Sequence, residues 1–142
     1  GALGSRMAWF PLHVIALICV AGAFGGMIFF MMAFAPTVFR TLERPQAARL
    51  MRQVFPRYYM YLAVLQGAGA VVLLPAHSYD GEVGTLAIGC IVNLLLRQFL
   101  LPRIDRVRDT DSAAFSRLHR LSVIINLGLF AAVATVLVRL AQ

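Results

Sequence analysis

The side chains able to do chemistry in this sequence are polar groups set inside apolar runs. Gln66, Asn93 and Asn126 each interrupt a stretch of aliphatic residues. Arg97 lies in "VNLLLRQFLLP", ahead of Pro102. His119 and Ser122 open the last apolar run in "RLHRLSVIINLG", beside Arg117 and Arg120, and Tyr58 heads the second run in "FPRYYMYLAVLQG". Polar groups in hydrocarbon are costly, so they mark functional sites or interhelical hydrogen bonds. If Arg97 turns inward, it meets Tyr58, Tyr59, Ser122 and His119 at similar depth. Together these make a cationic pocket suited to a lipid phosphate or another anion. If Arg97 turns outward, it snorkels to the membrane surface. By helical rise, Gln66 and Asn93 fall about 13 Å inside the membrane and Asn126 about 8–10 Å. The three amides therefore form either one polar wall or a set of interhelical bonds worth about 0.6 kcal/mol each.

The elements that position these groups follow from composition. Of 142 residues, 61% are hydrophobic and 13% charged. An average soluble domain has about 25% charged residues, so the chain is expected to be an integral membrane protein. The opening "GALGSR", residues 1–6, reads as a cleavage scar or linker ahead of a native start at Met7. Residues 7–142 form a single transmembrane domain in this reading. Four apolar stretches, at about 11–39, 58–76, 84–101 and 114–141, are each expected to span as a helix. About 20 residues cross the hydrocarbon core, and only helices or closed barrels satisfy the backbone there. The segment 12–35 has no formal charge over 24 residues. That is longer than the apolar core of a signal peptide, so it reads as a permanent span. A further amphipathic helix is expected at about 45–55, with Leu50, Met51 and Val54 on the membrane surface. Short connections make the fold class all-α, an up-down-up-down four-helix bundle. Gly22 and Gly26 form a G-xxx-G, and with Pro36 they mark close helix packing, within the chain or in a homo-oligomer or with a membrane partner.

The net charge is +7, and every one of the 13 basic residues is Arg. Their placement excludes nucleic acid as the partner and points to membrane lipids. Arg40, Arg44, Arg49, Arg52 and Arg57 lie between the first two stretches, and Arg103, Arg106, Arg108, Arg117 and Arg120 between the last two. The intervening "HSYDGE" carries two acids and no Arg. Both basic segments are thus expected on the cytoplasmic side of a bacterial inner membrane, with both termini on the other side.

His13 is the metal candidate by residue type. It lies near the non-cytoplasmic end, most of a bilayer away from His119, so one haem cannot take both. His77 is on its side of the membrane without a spacing motif. Cys19, Cys90, Met27 and Met31 are soft donors suited to Cu(I), or simply packing residues. The sequence contains no G-x-x-x-x-G-K-[ST], H-E-x-x-H, G-x-S-x-G or CxxC pattern. Soluble-enzyme chemistry has nothing to rest on, and an enzyme is the less favoured reading.

Two stretches carry a resemblance. "GMIFFMMAFAPTVFRTLERPQAARLMRQVFPRYY" and "LLPRIDRVRDTDSAAFSRLHRLSVIINL" resemble the small membrane family typified by transmembrane protein 205. Many bacterial members of that family are known only as a domain of unknown function. The matching positions are Pro36, Phe39, Phe55, Tyr58, Pro102, Phe115, His119, Ser122 and Asn126. The resemblance implies a four-helix bundle and no activity. The opening "LHVIALICVAGAFGG" is similar to the first helix of copper-resistance-D-like and HemJ-type membrane proteins, which implies haem b or copper at His13. The leading expectation is a non-enzymatic membrane protein. It would bind a lipid headgroup or a small anionic or amphipathic ligand through Arg97, His119, Ser122, Asn126, Tyr58, Asn93 and Gln66, with transport as a use. The alternatives are a haem- or copper-binding redox protein and a structural subunit of a membrane complex.

Overall fold

The computed structural model describes the backbone from Ala2 to Gln142 and the side chains from residue 11 onward. Gly1 of the segment read as a scar, and the side chains of residues 2–10, lie outside the described residues. Six α-helices follow in order: α1 (Ala2–Phe29), α2 (Ala35–Thr41), α3 (Arg44–Leu73), α4 (Asp80–Leu95), α5 (Leu101–Val107) and α6 (Ser112–Ala141). Among the described residues there is no strand.

Two joints between helices are π-turns rather than loops. Phe30–Phe34 connects α1 to α2, and Leu96–Leu100 connects α4 to α5. Each turn ends two residues before a proline, Pro36 or Pro102. A proline has no N–H to return to the carbonyl four residues back, and its ring crowds that carbonyl. Widening the preceding turn relieves the clash while the rod continues. The two continuous rods, Pro11–Thr41 and His77–Val107, are each 31 residues long.

Those rods and Ser112–Ala141 are long and apolar enough to cross a membrane, three spans rather than the four expected from the sequence. The exception is α3. Its apolar half is diluted by Arg57, Gln66 and three tyrosines, so its composition alone does not mark it as a span. The helix boundaries also differ from expectation. The segments placed at 45–55 and 58–76 are one 30-residue helix containing Pro56. A single apolar stripe unites them: Ala47, Met51, Phe55, Tyr59, Leu62, Gln66 and Ala70 recur at helical spacing across the proline, and all are buried or half-buried. Met51 packs in a small core with Phe30, Val38 and Ala47, and Leu50 and Val54 lie against it. These residues thus support the α1–α2 joint instead of resting on the membrane surface.

The main core runs along the inner stripes of four helices. Ala16, Val20, Ala23 and Met27 of α1 meet Leu62 and Leu73 of α3, Leu86 of α4, and Val133, Val136 and Leu140 of α6. The outer faces are as apolar as the inner ones, with Ile18, Val64, Ile88 and Ile124 all exposed. This two-sided hydrophobicity belongs to a chain whose solvent is lipid. Gly22 and Gly26 face α3. Tyr61 donates a hydrogen bond to the Gly22 carbonyl at 3.0 Å, and a Cβ on Gly26 would come within 2.7 Å of the Tyr61 ring.

Ion pairs gather the basic segments. Arg52 on α3 lies 3.8 Å from Asp105 on α5 and 3.6 Å from Asp109 beyond it. Both Arg-rich segments therefore sit at one end of the molecule. Near the other end, Arg139 of α6 pairs with the buried Glu82 of α4 at 3.3 Å.

Candidate functional site

A cavity of about 180 Å³ opens at the Arg-rich end, among the first π-turn, α3, α5 and α6. Its walls are mostly apolar: Phe30 and Met31 from the π-turn, Phe55 from α3, Leu101 and Ile104 from α5, and Val123 from α6. Its polar groups are Tyr58, Tyr59, Arg108, His119, Ser122 and Asn126. The size is close to that of a cavity that holds benzene, roughly 150 Å³. It therefore takes a small group or one end of a longer molecule.

Helical spacing and helix ends place these residues. His119, Ser122 and Asn126 share one face of α6 at the i, i+3, i+7 positions. Asp111 starts that helix by accepting the Ala114 N–H at 3.1 Å. Tyr58 and Tyr59 are held by an aromatic stack in which Phe30 lies 4.1 Å from Tyr58 and 5.2 Å from Phe55, centroid to centroid. The Asn126 amide donates to the Tyr59 hydroxyl at 2.9 Å and to the Ser122 carbonyl at 2.7 Å, which ties α6 to α3. The Ser122 hydroxyl donates to the His119 backbone carbonyl at 2.7 Å, not to the imidazole, so the two do not form a nucleophile–base pair. The His119 ring stacks on Phe115 at 5.9 Å.

The cation at this site is Arg108. Its guanidinium lies 3.4 Å from Asp105 and 5.5 Å from the centre of the Phe115 ring. Its Nε is buried and has no hydrogen-bond partner. Sequence reading counted Arg108 among the residues that set topology. The only local signals were Asp105 three residues before it and the aromatic Phe115 after it. Neither reveals that α5 prolongs α4 and returns Arg108 toward α6.

Arg97, the expected cation, is not at the cavity. Its Nε donates to the Pro56 carbonyl at 3.2 Å, and its Nη1 lies 3.2 Å from the Gln98 side-chain oxygen. The depth estimate assumed a regular helix, whereas Arg97 lies in the π-turn, which adds a residue and rotates everything after it. Gln66 and Asn93 are also elsewhere, 1% and 0% exposed in the α3–α4 seam. The Asn93 amide donates to the Gly89 carbonyl at 2.9 Å. Gln66 Nε2 and Asn93 Oδ1 are buried without partners among the described residues. The three amides therefore do not line one wall: Asn126 faces the cavity, and the other two lie between α3 and α4.

His13 lies away from the cavity, where its Nδ1 is 3.3 Å from the Tyr79 hydroxyl and the rings are 5.7 Å apart. Among the described residues, no group of three or more His, Cys, Asp or Glu is placed to hold a metal ion. Met27 is buried in the main core, and Cys90 packs against Gly67. The donors around His13 do not fit a coordinated metal, and its partner is a tyrosine hydroxyl.

Comparison with known families bears on the same residues. The profile of the family described as "Domain of unknown function (DUF4149)" matches residues 18–113, more than half of the chain. The chain belongs to this family. The match takes in Phe30, Tyr58, Tyr59 and Arg108 and ends before His119, Ser122 and Asn126. The chain is also similar to an uncharacterized protein of Aquifex aeolicus (strain VF5), at 30% identity over 116 residues, or 81% of this chain and 86% of that one. No solved structure matches the chain. It is thus a membrane protein of a family whose activity is not defined, and its chemistry has to be read from the site.

Proposed function

We propose that this member of the family is an up-down-up-down four-helix protein of the bacterial inner membrane that binds a lipid headgroup or a small anionic or amphipathic ligand. The binding place is the cavity framed by Tyr58, Arg108, His119, Ser122 and Asn126, and transport is the use to which binding is put. The first link is architectural. α3 serves as the fourth span because its inner stripe joins the main core. Antiparallel neighbours are supported by contacts that run in opposite order along paired helices. A Cβ on Gly22 would meet Leu65 while one on Gly69 would meet Val20, and the α3–α4 seam sets Gly67 against Cys90 and Gly69 against Leu86. The second link is charge. The joining of Arg52 to Asp105 and Asp109 supports one basic, cytoplasmic end, with both termini opposite.

The observation that carries the ligand reading is the buried, unpartnered Nε of Arg108 beside an otherwise apolar cavity. A buried donor without an acceptor costs about 1–3 kcal/mol, so a ligand oxygen placed there is favoured. Tyr58, His119 and Ser122 add polar atoms nearby, and the aromatic and aliphatic walls suit an alkyl portion. The test is thermal unfolding of the detergent-solubilised chain with decyl phosphate and, separately, inorganic phosphate. Decyl phosphate is expected to raise the midpoint, and Arg108→Gln and His119→Ala to lose most of that shift. Arg97→Ala is expected to keep it, because Arg97 faces Pro56. Inorganic phosphate acting alone as strongly as decyl phosphate would point to an anion site without an alkyl requirement. An undiminished shift in Arg108→Gln would refute the assignment of this cavity.

A further inference from the structure

The Arg-rich end carries a second feature on the opposite side of α6, separate from the cavity above. Arg103 and Arg106 of α5 and Arg117 of α6 line a groove of about 460 Å³. Arg103 and Leu121 are shared with a second groove of about 420 Å³, which continues along α4 and the second π-turn past Val92, Leu96 and Ile125. The result is one furrow between α4–α5 and α6. Its outer end bears three guanidiniums, and its continuation is aliphatic and aromatic.

The acids of this region are all engaged elsewhere. Asp105 pairs with Arg52 and Arg108, Asp109 pairs with Arg52, and Asp111 caps α6. Among the described residues, Arg103, Arg106 and Arg117 pair with no carboxylate. Helical spacing accounts for this sorting. Arg103, Arg106 and Val107 share one face of α5, and Ala114, Arg117, Leu118, Leu121 and Ile125 share one face of α6. The acids project from other faces. A furrow that is cationic at the membrane surface and apolar below it complements a molecule with a phosphate head and a hydrocarbon tail, and guanidiniums match phosphate oxygens in paired hydrogen bonds.

We propose that this furrow is a seat for an anionic glycerophospholipid. The phosphate would lie among Arg103, Arg106 and Arg117, and one acyl chain would lie along Val92, Leu96 and Ile125. The seat is independent of the Arg108 cavity, so either assignment stands without the other. It separates these three arginines from the remaining basic residues, whose placement needs no function beyond topology.

The test uses native mass spectrometry of the full chain in detergent with equal amounts of phosphatidylglycerol and phosphatidylethanolamine. The native chain is expected to retain phosphatidylglycerol preferentially. Each guanidinium replaced by Gln is expected to lower that retention about fivefold, the effect of one basic residue near an anionic surface. The variant R103Q/R106Q/R117Q should therefore lose the preference. R40Q/R44Q/R49Q changes the net charge equally at exposed positions outside the furrow, and it should keep the preference. Ile125→Trp, which fills the apolar portion, should lower retention with all three arginines intact. Equal retention of the two lipids by the native chain would overturn the proposal. So would equal loss in the two triple variants, or unchanged retention in Ile125→Trp.

Discussion

The seam between α3 and α4 offers the sharpest test of the packing, through Gly89→Ala. A Cβ at Gly89 would collide with the Gln66 side-chain oxygen, and Gln66 is only 1% exposed, so its amide has little room to turn. Overpacking of this kind costs about 1–3 kcal/mol. Against that, replacing a mid-helix Gly by Ala favours the helix by about 1 kcal/mol. Gly89→Ala should therefore destabilise the native chain by anywhere from nothing to about 2 kcal/mol. In a Gln66→Ala background the obstacle is gone, and the same change should stabilise by about 1 kcal/mol. The two sites should couple by about 1–3 kcal/mol in a double-mutant cycle. The Asn93 bond to the Gly89 carbonyl survives in all four proteins, because alanine keeps that oxygen. Unfolding by SDS in mixed micelles, followed by circular dichroism, gives the four free energies. If Gly89→Ala has the same sign and size in both backgrounds, Gln66 does not fill the space opposite Gly89 and the seam is wrong.

Other changes test single contacts. Tyr59→Phe removes the hydroxyl that accepts from Asn126, and because that amide keeps the Ser122 carbonyl, the loss in the same assay should be about 0.6 kcal/mol. Asp111→Ala removes the cap on Ala114 N, so stability should fall by about 0.5–2 kcal/mol and amide exchange should rise in the first turn of α6. Gly26→Val should displace Tyr61, break its bond to the Gly22 carbonyl and lower the thermal midpoint, and Tyr61→Ala in the same chain should recover part of the loss.

Much of the design was readable from residue order. Long uncharged runs, closed by prolines and flanked by arginines, require helices in lipid, because no other open structure satisfies the backbone there. The pairing of His119, Ser122 and Asn126 on one face of α6 follows from a regular helical period, and these three residues do meet Tyr58 at the cavity. That period failed at Arg97, where a π-turn ahead of Pro102 shifts the register. It also failed across Pro56, where a continuous apolar stripe overrides the expected break.

The amino-acid order by itself determined that this chain is helical, membrane-embedded and basic in two segments, since those properties depend on local composition and on the solvent each residue must face. Only the tertiary structure decided which arginine serves the cavity and which serve the furrow. It placed Arg108 beside Phe115, Arg97 on Pro56, and Arg103, Arg106 and Arg117 on a face free of acids. These choices turn on the rotation of one rod about its axis relative to the next. Two π-turns and the ion pairs of Asp105 and Asp109 set that rotation, through contacts between residues far apart in the chain.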